Sequence, residues 1–238
     1  MGIYQIGSNF KPIPGYTMFL DASIPESYSG SGTIWGNLAG SNNCSLRNGL
    51  SYSVLSTGAG AFDFNGTNQY GAFSVINLNS SFTIMAWARK NETTSNGRLF
   101  GGGWIATTGD GAGLGVSFGV NGATLMADTF RSGGLDYASG GTITANKWHF
   151  FAAVQDPWTI SLYLDGELTD TNSFYNYYYY TTGGASENYI GANSSSSGQP
   201  GGSYWNGSIG QVLIYNGTIL TQSQLLGHFK QTKSRYGR

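Results

Sequence analysis

The chain predicts an all-β protein, a two-sheet antiparallel sandwich closed by one short C-terminal helix. Three observations point there. Charged residues make up only 10% of the sequence, whereas Gly (38 residues), Tyr (16) and Phe (13) are abundant. Glycine supplies tight turns, and aromatic rings suit a pleated, half-buried surface. Several stretches alternate in hydrophobicity at period two, most clearly SFTIMAWAR over 81–89 and WHFFAAV over 148–154, as a strand with two distinct faces requires. Asn-Gly and Asp-Gly pairs punctuate these stretches, the dipeptides that two-residue hairpin turns favour.

The bulk numbers bound the rest. A length of 238 residues fits one large β domain, and 39% hydrophobic residues suffice for a core. A net charge of −1 offers no basic field, so neither nucleic acid nor a membrane is an expected partner. Cys44 is the sole cysteine, so no intrachain disulfide is possible. The opening MGIYQIGSNFKPIPG lacks the basic and apolar regions of a signal peptide. No stretch approaches the ~20 apolar residues of a membrane helix.

Residues 1–16 carry Pro12 and Pro14 and are expected as an extended arm, because proline cannot donate to a sheet ladder. Tyr4, Ile6 and Phe10 along this arm have no evident place in the chain's own core, which makes them candidate subunit contacts. A first strand covers 18–22, and the polar stretch 23–58 shows one further strand at 33–35. Phe62 and Phe64 then alternate inward before the Asn65-Gly66 turn and a return strand over 69–75. In 81–89, Phe82, Ile84, Ala86 and Ala88 share one face, and Met85 and Trp87 the other. A strand over 114–118 turns through Asn121-Gly122 into 124–127. Trp148, Phe150, Ala152 and Val154 share a face, Asp156-Pro157 breaks the run, and Ile160, Leu162 and Leu164 lead to the Asp165-Gly166 turn. The last block, 204–229, opens with Asn206-Gly207 read as a turn and continues as a strand over 209–215. It breaks at Asn216-Gly217 and enters a helix capped by Thr221, with Gln224 completing a capping box. Alternation puts Gly210, Val212 and Ile214 on the core face and leaves Gln211, Leu213 and Tyr215 facing outward. The expected core is Phe62, Phe64, Phe82, Ile84, Trp148, Phe150, Val212 and Ile214.

Four of these blocks resemble a known pattern. Phe62-Asp63-Phe64-Asn65-Gly66, Phe82-Thr83-Ile84 with Trp87, Trp148-His149 followed by Tyr163-Leu164-Asp165-Gly166, and Ile214-Tyr215-Asn216 before Leu220-Thr221 are similar to laminin-G-like, concanavalin A-like lectin-fold domains. The blocks cover roughly 60–230, with no repeat or linker between them. The resemblance implies a jelly-roll sandwich over 17–230, between the arm 1–16 and a tail 231–238.

It also frames four functions. Glycoside hydrolases share this sandwich but need two carboxylates flanking the scissile bond. Glu26, Glu92, Glu167 and Glu187 are isolated from one another, Asp165 and Glu167 sit at a hairpin tip, and His149 and His228 are the only histidines. No catalytic residue is therefore expected. Relatives often bind calcium through loop carboxylates. Where they carry an acidic pair this chain has Gly210-Gln211, which leaves Asp63, Asp110 and Asp136 as isolated candidates and no expected cofactor. Glycan binding is offered by flat aromatic faces, namely Trp158, Tyr177, Tyr178 and Tyr179 of the 174–180 run, and Tyr204 and Trp205. The same run also fits an edge strand or a protein contact. Lastly, the ending Lys230-Gln231-Thr232-Lys233-Ser234-Arg235-Tyr236-Gly237, together with the Trp-His and Ile-Tyr-Asn blocks, resembles laminin-G-like proteins of tailed bacteriophages. That implies a non-enzymatic structural protein of the virion surface, a capsid decoration, fibre or tail component. It would contact copies of itself, other virion proteins and host glycans, with Leu213 and Tyr215 joining the arm at the interface. A carbohydrate-binding, lectin-like module is the alternative.

Overall fold

A computed structural model describes residues 10–78, 80–102, 115–131, 134–173, 187–195 and 199–238. Its strands, in chain order, are β1 (Met18–Asp21), β2 (Ile34–Trp35), β3 (Cys44–Arg47), β4 (Ser51–Val54), β5 (Gly60–Asn65), β6 (Tyr70–Ser74), β7 (Phe82–Lys90) and β8 (Gly97–Gly102). They continue with β9 (Gly115–Asn121), β10 (Thr124–Arg131), β11 (Gly134–Thr142), β12 (Trp148–Gln155), β13 (Thr159–Leu164), β14 (Glu167–Ser173), β15 (Glu187–Ile190) and β16 (Asn206–Asn216). One helix, α1 (Gln222–Thr232), and a 3-10 turn (Lys233–Tyr236) close the described chain.

The strands form two antiparallel sheets. The first runs β14-β13-β12-β7-β16-β5-β4, with β1 also paired to β16; the second runs β11-β10-β9-β8-β15-β6-β3-β2. Between them lies a core containing Trp35, Phe62, Phe82, Phe100, Phe118, Phe151, Val212 and Ile214. At one edge the sheets are laced together, Ser139 N–H donating to Asp170 and the Asn172 amide to the Tyr137 carbonyl. All eight expected core residues are buried, six of them between the sheets. Trp148 and Phe150 lie in a second layer on the outer face of the first sheet, since Phe151 and Ala153 are the β12 residues that face inward.

β16 organises the first sheet. It pairs with β7 along its length, with β5 over 206–209 and with β1 over 211–214. Its chain neighbours differ from the expectation in two places. Asn206-Gly207 is no turn but the start of the strand, Asn206 opposite Asn65 and Gly207 opposite both Phe64 and Lys90. Gly207 adopts φ 148 there, and a side chain would run into the Arg89 carbonyl. A register shift between Ile209 and Gln211 also places two consecutive residues on the outer side, as bulges do. Gly210 therefore leaves the face of Val212 and Ile214; a Cβ there would strike the Tyr236 ring. The stretch 23–58 holds three strands rather than one, because its ladder partners are distant and its own apolar pattern is sparse.

The outer face of the first sheet is the main departure from the sequence reading. Leu213 and Tyr215 do lie opposite Val212 and Ile214, but both are fully buried. A second apolar layer covers them, built with Phe19, Met85, Trp87, Trp148, Phe150, Leu220, Leu225 and Tyr236. Trp87 stacks on Tyr236 (centroids 4.5 Å apart, 18° between planes) and donates its indole N–H to Thr232 Oγ1 at 2.8 Å. Over 10–16 the arm joins the same layer: Phe10, Ile13 and Tyr16 pack against it, and Tyr215 donates its hydroxyl to the Ile13 carbonyl at 2.9 Å. Phe10, Leu213 and Tyr215 are thus partnered by their own chain; Tyr4 and Ile6 fall outside the described residues. The stretch 231–238 continues α1 and buries Tyr236.

A chain of polar side chains is bonded together inside this layer. Arg235 donates to both Asp21 oxygens (2.7 and 2.8 Å), Gln211 Nε2 donates to Asp21 at 2.8 Å, and Gln211 Oε1 meets His228 Nε2 at 2.8 Å. Since the glutamine carbonyl faces the imidazole, His228 must be the donor. Burial, and then the Arg235 charge, push its pKa down to about 3, so the ring stays neutral. An acidic residue at 211 would have faced Asp21, which explains the amide. No described helix is long and apolar enough to cross a membrane.

Candidate functional site

At the end of the sandwich where β5, β7 and β16 meet, a shallow groove of about 580 Å³ opens to solvent, lined by Gly66, Thr67, Ser95, Asn96, Gly202, Ser203 and Tyr204. Its size falls in the ordinary range of small-ligand sites. Three connections build it, and each is stiffened from within.

The β5–β6 turn is held by Asn65. Its side-chain oxygen accepts from the backbone N–H of Thr67 and Asn68 (2.9 and 3.1 Å), and its amide donates to Asn68 Oδ1 at 2.9 Å. Such Asx geometry is why an Asn-Gly pair turns a chain without outside help. The β7–β8 loop, 91–96, is wrapped around one carboxylate. Glu92 accepts from Lys90 Nζ (2.6 Å), Thr94 N (2.6 Å), Thr94 Oγ1 (2.6 Å) and Ser95 N (2.9 Å), and also from Ser95 Oγ. Desolvation works to raise the Glu92 pKa, but the bonds from Lys90, Ser95 and Thr94 outweigh it and hold the carboxyl well below its usual range. The Lys90 side chain is fully buried, its ammonium 5.9 Å from the Trp205 ring centroid. The third wall, 202–204, is pinned by Arg98 N–H donating to the Ser203 carbonyl and Gly66 N–H to the Trp205 carbonyl. Ser203 itself has φ 45, a left-handed conformation that costs energy for a residue with a side chain.

Tyr204 is the aromatic member of the groove. It is half-buried, tilted against Tyr70 at 6.4 Å, and Tyr70 in turn meets Tyr189 edge-on at 5.6 Å. Burial, then Tyr70, raise its pKa, so the phenol remains a neutral hydrogen-bonding group. Of the other expected aromatics, Trp205 does not reach the surface. It is fully buried in the core between the sheets, with Phe151 edge-on at 6.1 Å, so it supports the groove from beneath and cannot stack a ligand. Trp158 is 56% exposed but lies in the turn after β12, whose last residue pairs with Phe82 rather than Arg89; that is the opposite end of the sandwich. Tyr177, Tyr178 and Tyr179 lie outside the described residues.

The metal candidates do not converge. Asp63 accepts from Ser208 Oγ at 2.5 Å within the sheet, Asp110 lies outside the described residues, and of Asp136 only the backbone, in β11, is described. Among the described residues no group of three or more His, Cys, Asp or Glu side chains is placed to hold a metal. Asp165 is occupied by His149 Nδ1 (3.0 Å), Phe150 N–H (2.9 Å) and Arg238 (2.9 Å), and Glu167 accepts from Gln222. Cys44 is buried, which pushes its thiol up to about 12 and leaves it unreactive.

The groove residues other than Tyr204 were missed in the sequence because Ser, Thr, Asn and Gly are also what ordinary loops contain. The repeated Asn-Gly pairs were the available signal.

A family model, the laminin G type of the concanavalin A-like lectin/glucanases superfamily, matches residues 65–225, well over half the chain. The chain belongs to this superfamily. No curated protein sequence matches it. Among solved structures, domain 4 of AbnA, a GH43 extracellular arabinanase from Geobacillus stearothermophilus solved with arabinotriose, superposes with a TM-score of 0.65 at 15% identity, over 90% of this chain and 97% of that one. A Trypanosoma rangeli sialidase with sialic acid gives 0.61 at 17% identity, over 95% of this chain but 34% of the enzyme. The binding domain of botulinum neurotoxin DC gives 0.62 at 12% identity, over 91% and 51% respectively. At these identities the likeness is one of fold.

Proposed function

We propose that this domain is a non-catalytic carbohydrate-binding module and that the rim groove holds the sugar. The observation that carries this is the groove's composition: hydroxyl, amide and exposed backbone groups around one half-exposed tyrosine. Sugars offer many hydroxyls and an apolar ring face, which such a surface matches. The walls are fixed by their own hydrogen bonds before any ligand arrives, so little ordering cost falls on binding. The arabinanase and sialidase structures were solved with sugars, and the toxin domain with SialylT, which supports the same reading.

Titration of the full chain against a panel of oligosaccharides tests it. Binding that falls by at least about tenfold in Tyr204→Ala, roughly 1.4 kcal/mol, with the melting temperature nearly unchanged, is the expected result. Hydrolysis of any of these sugars that disappears in Asp165→Asn or Glu167→Gln would instead establish an enzyme.

A virion-surface role rests on the resemblance of the Trp-His, Ile-Tyr-Asn and C-terminal blocks to phage proteins, and is compatible with glycan recognition. Its apolar contact face, Leu213 and Tyr215, is covered within the chain, so a subunit contact would need other residues. Detection of the protein by mass spectrometry in purified particles tests that role directly.

A further inference from the structure

The groove's electrostatics narrow its ligand. None of its described lining residues is charged: Gly66, Thr67, Ser95, Asn96, Gly202, Ser203 and Tyr204. Charges do lie close by: Lys90, Glu92 and Arg98 are bonded within the protein, and Arg47 is the exposed one. Lys90, directly behind the 91–96 wall, is fully buried and bound to Glu92 at 2.6 Å and Ser95 Oγ at 3.0 Å. Glu92 spends both oxygens on Lys90, Thr94 and Ser95. Arg98, whose backbone pins Ser203, turns its guanidinium into a buried cluster instead, donating to Ser117 Oγ (2.9 Å), the Val120 carbonyl (2.9 Å) and Asp128 Oδ2 (3.1 Å). Beyond Tyr70, which touches Tyr204, Arg47 stands opposite on β3 and is faced by Glu187 at 3.8 Å.

We infer that the groove takes a neutral saccharide and discriminates against glycans recognised through a carboxylate or sulfate. This rests on the carbohydrate-binding reading and specifies its ligand class. An acidic sugar leaving water for this site would lose hydration of its anion without gaining a cation, a loss that charge-assisted bonds normally offset. A neutral sugar loses only hydroxyl–water bonds. Those are replaced by Thr67, Ser95, Asn96 and Ser203, with its ring on Tyr204. The internal Lys90–Glu92 pair thus has two effects, fixing the wall and keeping the Lys90 ammonium from reading an anion.

The experiment is calorimetric titration of the full chain with neutral oligosaccharides such as arabinotriose and maltotriose, and with sialyllactose and a trimer of galacturonic acid. Each is run at about 50 mM and about 500 mM NaCl, a range over which exposed charge attraction is largely screened. The expected result is binding of a neutral sugar with a dissociation constant that changes less than about twofold across that range. It should be weakened several-fold in Asn96→Ala, lost in Tyr204→Ala and unchanged in Arg47→Gln. Preferential binding of an acidic sugar that weakens steeply with salt and disappears in Arg47→Gln would overturn the neutral class while leaving carbohydrate binding intact. Binding of neither class, or binding indifferent to Tyr204→Ala, would remove the carbohydrate reading of the groove and this inference with it.

Discussion

The outer face of the first sheet and the rim groove are built from the same strands, β7 and β16, and they resolve their exposed chemistry in opposite ways. On the sheet face, an apolar row that looks like an interface is closed over by residues 10–16, α1 and the 3-10 turn, with Trp87, Phe150, His228 and Tyr236 stacked into one aromatic layer. At the rim, polar loops that look like ordinary connections are drawn tight around Asn65 and Glu92 and remain open to solvent. Apolar exposure inferred from one strand's alternation is a poor guide to contact surface when a terminal helix is available to cover it.

The sharpest way to break this contrast is a charge in the covered layer. Leu213→Glu places an unpaired carboxylate where no water reaches, and should destabilise the fold by about 4 kcal/mol or more, read by denaturant unfolding. Were Leu213 a subunit contact instead, the variant would keep its stability and change only its sedimentation.

Acid should act on the same layer next. The His228 pKa in the folded chain is about 3, below its unfolded value near 6.5. Between those limits the unfolded chain binds a proton that the folded chain refuses. Stability is therefore fully present above pH 6.5 and falls as the pH drops toward 3, with a slope from this group of at most about 1.4 kcal/mol per pH unit. His228→Gln, which can still donate to Gln211, should flatten that slope in a series of melts, and an unchanged slope would assign it to other groups.

The rim should respond in binding as well as in stability, because Glu92→Gln leaves the fully buried Lys90 ammonium without its counter-charge. Glu92→Gln removes the charge that gathers Lys90 Nζ and the N–H groups of Thr94 and Ser95. Amide exchange over 93–96 should quicken and sugar affinity drop about tenfold, with Tyr204 and the β5–β6 turn unaffected. The smallest effect is expected for Tyr215→Phe, which deletes only the bond to the Ile13 carbonyl; about 1 kcal/mol is lost, and amides of residues 10–16 should exchange faster. Equal exchange in the variant would mean that Phe10 and Tyr16 alone hold the arm.

The sandwich was legible along the chain because its decisive signals are local. Phe62 and Phe64, the 82–88 alternation and the Asp165-Gly166 turn each act within a few residues, and the turn indeed has both residues at positive φ. The Thr221–Gln224 capping box, also local, is present as expected. What covers what depends on long-range packing. Gly210 and Gln211 share a side because of a bulge set by pairing with β7. Leu213 is buried because a helix begun seven residues after Tyr215 folds back over it. Trp205 is inside because β16 starts one residue later and carries it under the rim. The groove itself joins residues near 66, 95 and 203, and no period or spacing along the chain can bring such distant stretches together.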